Sequence, residues 1–224
     1  MLVEGFNALG ATPVNYSFSF GTPVDLSATY DPAVVATASP QWTNDNAQAA
    51  VLLDGHHDIK VGANPALNLT QDVSFQVRFR ADAFDQTWQS VVYKGANTSD
   101  GQSRTYSLWL NANGYLLLST SDAYGEMGVG TVAGTVLLGQ WYDVTGVIDR
   151  STGLLKIFVD GVEAASGTLR TFAGGARVQD SPLYLGSSHE GWYNNNSEFA
   201  GAISEFRLWE IGRASCRERV YSSV

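Results

Sequence analysis

Cysteine is nearly absent from this 224-residue sequence: there is one, Cys216, close to the C-terminal end. A disulfide framework and a thiolate metal site are both excluded by that count. Charge is sparse too, at 16% against about 25% in ordinary soluble domains, and its balance has the wrong sign for phosphate. Lys and Arg total 13 against 22 Asp and Glu, a net −9. With no basic cluster, nucleic acid is not an expected partner, and anionic membrane surfaces are repelled as well. Long apolar runs are missing. Leu116-Leu117-Leu118 and Val136-Leu137-Leu138 are far shorter than the roughly 20 residues of a spanning helix, so no membrane insertion is expected. Met1 to Gly10 has no cationic region leading into an apolar stretch, so no secretory signal is visible here, and that of an exported protein would lie upstream or be missing.

Apolar and aromatic residues are plentiful, at 44% and 12%, and glycine reaches 23 residues. That is enough to bury a core and to make many tight turns, unlike a disordered chain. Val73, Phe75, Val77 and Phe79 alternate with Ser74, Gln76, Arg78 and Arg80, the pattern of a half-buried strand. Similar segments run over 90–94, 104–111, 115–120, 141–149, 154–160, 182–186 and 199–209. Turn signals separate them, among them Asn113-Gly114, Thr152-Gly153, Asp160-Gly161 and Gly174-Gly175. No window sustains helical spacing. The expected fold is all-β, a two-sheet antiparallel β-sandwich or jelly roll, because many antiparallel strands must be stacked to hide their apolar faces.

Three stretches follow from texture. Residues 1–40 hold a strand-like piece at 15–20 and a run of small residues, and are expected to be the end of a preceding domain or an irregular lead-in. Residues 41–209 form the jelly-roll domain. Residues 210–224 include Glu-Ile-Gly-Arg-Ala-Ser-Cys-Arg-Glu-Arg-Val, which resembles an in-frame translation of a sequencing-library adapter and is set aside as a non-native tail. That tail holds Arg213, Arg217 and Arg219 against Glu210 and Glu218, so the acidity belongs to the domain.

The ordered series Leu53-Asp54-Gly55, Asp58 to Val61, Val73 to Phe79, Tyr106-Ser107-Leu108, Asn113-Gly114, Gly139-Gln140-Trp141, Asp149, Val159-Asp160-Gly161, Leu183 to Gly186 and Gly201 to Trp209 resembles a LamG-like jelly-roll domain. The family is the concanavalin A-like lectin and glucanase superfamily, in its laminin G and pentraxin-like branch, and the resemblance covers about Ala50 to Trp209. It implies two face-to-face sheets, one concave on its outer side. The sequence departs from the pattern at Arg78, where the family often has Trp, and at His56-His57.

Parity then nominates a surface. With Phe75, Val77 and Phe79 inward, Gln76 and Arg78 point outward; with Tyr106, Leu108 and Leu110 inward, Trp109 and Asn111 point outward; with Tyr142 and Val144 inward, Asp143 points outward. Were these strands neighbours in one sheet, Gln76, Arg78, Trp109, Asn111 and Asp143 would offer an aromatic plane to the C–H face of a sugar and fixed polar groups to its hydroxyls. The alternative is a covered Trp109 and a merely solvated face. Trp141 and Asp160-Gly161 are read as structural, opening a strand and closing a hairpin.

The resemblance to pentraxin-like domains also implies a possible calcium site. Its acids would be Glu190 and Glu198 in the polar 186–200 loop and Asp100 in the 95–103 loop, since calcium takes six to eight oxygens. His56 and His57 are adjacent and so face opposite ways on extended chain, which disfavours joint metal ligation. The acid triplet Glu-x-Asp-x-Glu of the superfamily's retaining glucanases is missing, as are a Gly-x-Ser-x-Gly elbow and a phosphate-binding loop. The expectation is a non-catalytic carbohydrate-binding module of a larger extracellular or cell-surface protein, with a glycan as partner. A protein-binding adhesion module and a structural spacer of the same fold remain the alternatives.

Overall fold

Alternation along the sequence becomes layering in space. A computed structural model describes residues 48–96, 103–170, 180–188 and 197–210, and the backbone of four short strands between residues 2 and 45. Those four are β1 (Leu2–Val3), β2 (Tyr16–Ser19), β3 (Val34–Ala36) and β4 (Gln41–Asp45). Next come β5 (Gln48–Asp54), β6 (Ile59–Val61), β7 (Val73–Ala81), β8 (Trp88–Gly95), β9 (Arg104–Asn111) and β10 (Leu116–Asp122). The series closes with β11 (Gly125–Gly130), β12 (Trp141–Asp149), β13 (Leu154–Val159), β14 (Val162–Thr168), β15 (Leu183–Leu185) and β16 (Ala200–Glu210). Among the described residues the one helical element is a single 3-10 turn at Pro65–Leu67.

The strands form two antiparallel sheets, the β-sandwich of a jelly roll. One has nine strands in the order β1-β2-β16-β7-β12-β13-β14, with β5 and β4 added on the β16 side; the other runs β11-β10-β9-β8-β15-β6-β3. The chain changes sheet repeatedly. It passes from β7 to the seven-stranded sheet for β8 to β11, returns for β12 to β14, crosses for β15 and comes back for β16. Strands β2 and β3, from the segment before residue 41, pair with β16 and β6. At the other boundary β16 extends to Glu210, opposite Val73.

Burial follows the period of two. Along β7 every odd residue from Val73 to Ala81 is buried and every even one is half-buried. Phe75, Val77 and Phe79 face Tyr106, Leu108, Leu110, Leu116 and Leu118 in one core. Each such side chain contributes about 1.5–3 kcal/mol when fully buried. The Phe75 ring lies 6.0 Å from Tyr106 of the opposite sheet and 6.3 Å from Phe206 of its own. Room for that ring comes from Gly146, directly across the β7–β12 ladder, where a Cβ would sit 2.6 Å from the Phe75 ring.

Two strands carry little sequence signal. Gly125–Gly130 and Val162–Thr168 are rich in Gly, Ala and Ser, which have weak strand preference, and both sit beside better-patterned partners at sheet edges. Pairing to β10 and β13 decides their conformation. The turn ahead of β14 is as expected: Asp160 and Gly161 both have positive φ, 50° and 80°, the geometry of a type I′ hairpin turn.

A lysine is buried on an inner row. Lys94 opposes Tyr106 across the β8–β9 ladder and is 0% exposed, its Nζ donating to Ser181 O at 2.8 Å and Ser181 Oγ at 3.3 Å. Burial pushes its ammonium down to about 8, with Asp180 opposing.

Gly146→Ala should lower stability by about 1–3 kcal/mol through overpacking against Phe75, read as a lower urea midpoint. Phe75→Leu in the same chain should recover part of the loss, and an unchanged midpoint for the single variant would refute the packing account. Lys94 supplies a pH test. Between pH about 8 and about 10.4 the unfolded chain holds the proton that the folded one has released, so stability rises with pH in that window. The wild type should gain up to about 2–3 kcal/mol relative to Lys94→Met across it; parallel pH profiles of the two proteins would contradict this.

Candidate functional site

The five residues nominated for a sugar surface do not share one. Gln76 and Arg78 on β7 and Asp143 on β12 lie together on the outer face of the nine-stranded sheet, with Arg78 opposite Asp143 and Gln76 opposite Thr145. Trp109 and Asn111 belong to β9 in the seven-stranded sheet. The outer faces of two stacked sheets look in opposite directions across a core about 10 Å thick, so the expected constellation is split. Parity gave each side chain its correct side, but it carries no information on which sheet a strand joins.

Trp109 is also sealed, at 2% exposure. Its Nε1 donates to Ser107 Oγ at 2.9 Å, and the Tyr93 ring meets it edge-on at 6.0 Å. The Arg104 guanidinium lies 4.4 Å from the ring centroid and is held by Ser119 Oγ at 3.2 Å and by an ion pair to Glu126. Asn111 is occupied as well, its Oδ1 accepting from the Asn113 backbone N–H at 3.2 Å in the turn between β9 and β10. Both side chains are thus engaged within the fold.

On the nine-stranded sheet a different aromatic takes the place expected of Trp109. Trp141 opposes Arg80 on β7 and is half-buried, with the guanidinium carbons of Arg78 and Arg80 at 5.6 and 5.4 Å from its ring. Its parity is that of Asp143 and Thr145, so the alternation along β12 itself places it outward, beside its role in opening the strand. Phe158, opposite Thr145, and Trp209, opposite Ser74, are half-buried on the same face.

Charges on this face are closely matched. Arg78 Nη1 lies 2.6 Å from Asp143 Oδ2. Arg80 holds Asp82 through Nε at 2.7 Å and Nη2 at 2.9 Å. Glu205, opposite Arg78 on β16, pairs with Arg207. Lys156 donates to Glu163 at 2.7 Å, and with Ser166 holds that carboxyl below its usual range. Guanidinium donors, carboxylate acceptors, the Gln76 amide and the Thr145 hydroxyl thus follow Trp141 along one face of a rigid ladder. Such a set can present an apolar plane and both hydrogen-bonding senses to a polyhydroxylated ligand.

Of the three acids expected for calcium, Asp100 and Glu190 lie outside the described residues. Glu198 is described, with His56 Nδ1 3.6 Å from its Oε2. The neighbouring His57 Nδ1 lies 2.7 Å from Asp54 Oδ1, so the two histidines face different carboxylates. Burial works against the Asp54 carboxylate, but hydrogen bonds from His57 and the His56 backbone hold it below its usual range. Among the described residues no group of three or more His, Cys, Asp or Glu is placed to hold a metal.

Comparison with known proteins gives the architecture a lineage. A laminin G family model, described as the concanavalin A-like lectin/glucanases superfamily, matches residues 53–215. Among curated proteins no sequence matches. Several solved structures share the fold at low identity. Domain 4 of AbnA, a GH43 extracellular arabinanase from Geobacillus stearothermophilus solved with arabinotriose, is 18% identical with a TM-score of 0.54, covering 77% of this chain and 76% of its own. The CBM40 of the Ruminococcus gnavus IT-sialidase, bound to α2,3 sialyllactose, is 14% identical with a TM-score of 0.60, covering 72% and 90%. The binding domain of Paraclostridial Mosquitocidal Protein 1 reaches 0.61 at 15% identity, covering 86% of this chain and 48% of that one.

If Trp109 is a structural residue, Trp109→Ala should cost about 3–5 kcal/mol of unfolding free energy, seen as a large drop in urea midpoint. A loss below about 1 kcal/mol would return it to the surface.

Proposed function

The chain belongs to the concanavalin A-like lectin/glucanase superfamily, and from that premise we propose that it is a non-catalytic, lectin-like carbohydrate-binding module of an extracellular protein. Fold alone does not license a function. The observation that carries the reading is Trp141, a half-buried indole on the outer face of the nine-stranded sheet, with Arg78 and Arg80 against its ring and Asp143, Thr145 and Gln76 further along the same face. Solved neighbours of the same architecture support it, since their structures hold arabinotriose and sialyllactose. The non-catalytic part is supported by the missing Glu-x-Asp-x-Glu strand motif, which would set nucleophile and acid on one face.

The chemistry asked of the site is modest. A pyranose or furanose ring stacks its C–H face on the indole, and its hydroxyls exchange water for the carboxylate of Asp143 and the guanidinium of Arg78. Because these groups stand on neighbouring strands, little conformational entropy is lost on binding.

A second reading, a protein-binding module, is favoured by one separate feature. The connection between β11 and β12 exposes Val132 at 76%, Leu137 at 58% and Leu138 at 45%, although its backbone is tied down by Val136 N to Gly114 O and Gly139 N to Ala81 O, each 2.8 Å.

On a glycan array that the intact protein recognises, Trp141→Ala should weaken retention at least about tenfold, roughly 1.4 kcal/mol, while the protein stays folded by circular dichroism. Leu137→Ser with Leu138→Ser should leave glycan retention unchanged. Full retention by the Trp141 variant would overturn the assignment of this face.

A further inference from the structure

We propose that the ligand of the Trp141 face is an electrically neutral glycan, not a sialylated or uronic one. The inference rests on the lectin reading above and deepens it to a class of sugar. Its basis is the charge arrangement of the face itself. Four cations project there among the described residues, Arg78, Arg80, Lys156 and Arg207, and each is engaged by an acid: Asp143, Asp82, Glu163 and Glu205 in turn. An anionic sugar needs a guanidinium or ammonium free to meet its carboxylate, preferably in the bidentate form that arginine offers. Here that role is filled from within. Arg80 is already held at two nitrogens by Asp82.

Displacing a partner does not solve the problem. Exposed ion pairs are individually weak, about 0–1 kcal/mol, so breaking one costs little. The displaced carboxylate, however, is anchored on the same or the adjoining strand and remains within a few ångström of the incoming anion. Two like charges at about 4 Å repel by about 1 kcal/mol even in bulk water and by about 4 kcal/mol near a protein surface. The net charge of −9 adds a long-range penalty for anions at low ionic strength. The other sheet repeats the pattern, with Arg104 paired to Glu126 above Trp109.

A neutral sugar meets no such obstacle. Each hydroxyl is both donor and acceptor, and an Arg78–Asp143 pair offers N–H groups and lone pairs side by side, so one pair can serve two hydroxyls without separating. Aromatic stacking supplies the remainder and carries no charge.

The test is an array and affinity-electrophoresis comparison on the full chain. The neutral probes are arabinan, mannan, xylan and mixed-linkage β-glucan; the anionic probes are α2,3-sialyllactose and polygalacturonate. The expected result is retention by at least one neutral probe and by neither anionic one, with affinity changing less than about twofold between about 50 and about 500 mM NaCl. Asp143→Asn, which removes the carboxylate facing Arg78, should weaken the neutral probe several-fold and raise retention of the anionic ones. Binding confined to the anionic probes, lost as salt rises, would overturn the inference and leave the lectin reading standing. Retention of no probe of either kind would overturn the lectin reading, and the inference with it.

Discussion

Everything else in this molecule depends on the burial of two apolar sheet faces against each other. Phe75, Val77 and Phe79 from one layer and Tyr106, Leu108 and Leu110 from the other are all 0% exposed. Their contact is close enough that a single Cβ at Gly146 would collide with Phe75. Interiors packed to crystal-like density transmit such constraints widely. With period-two geometry, fixing the inner row of a strand fixes its outer row as well. The hydrophobic core thereby decides which polar and aromatic groups are available to a ligand, although it never touches one.

The two outer faces differ in how far their tryptophans are covered. That of the seven-stranded sheet is closed around Trp109, with Ser107, Tyr93 and Arg104 packed on the indole and Glu126 and Ser119 fixing the guanidinium. That of the nine-stranded sheet stays half-open around Trp141, Phe158 and Trp209. Tryptophan plus arginine occurs on both, so residue type does not separate a structural cluster from a binding platform. What separates them is how much of the ring is left accessible.

The ion pairs of the open face matter more for selection than for stability. Pairs that are partly exposed to solvent contribute little to folding. Held within or between neighbouring strands, though, they set the local field close to neutral within an acidic protein. That arrangement favours ligands that bring hydroxyls rather than formal charge, and it excludes competitors at small energetic cost, which is how specificity commonly arises.

Local order was largely legible in the residues themselves. The alternation from Val73 to Arg80, the Asp160-Gly161 turn and the strands at 104–111 and 141–149 all stand where the sequence puts them. The strands at 125–130 and 162–168 escaped because glycine and small residues pair only when a strong neighbour dictates it. The candidate surface was half legible: Gln76, Arg78 and Asp143 are grouped as expected, whereas Trp109 and Asn111 are on the far side and Trp141 had been given a turn-flanking role. The sequence alone determined the side of its strand on which each residue projects, because that depends only on backbone pleating between neighbours. Which strands lie next to one another was decided by the tertiary structure, since the passage from β7 to β8 carries the chain into the opposite layer and no short-range periodicity records such a crossing.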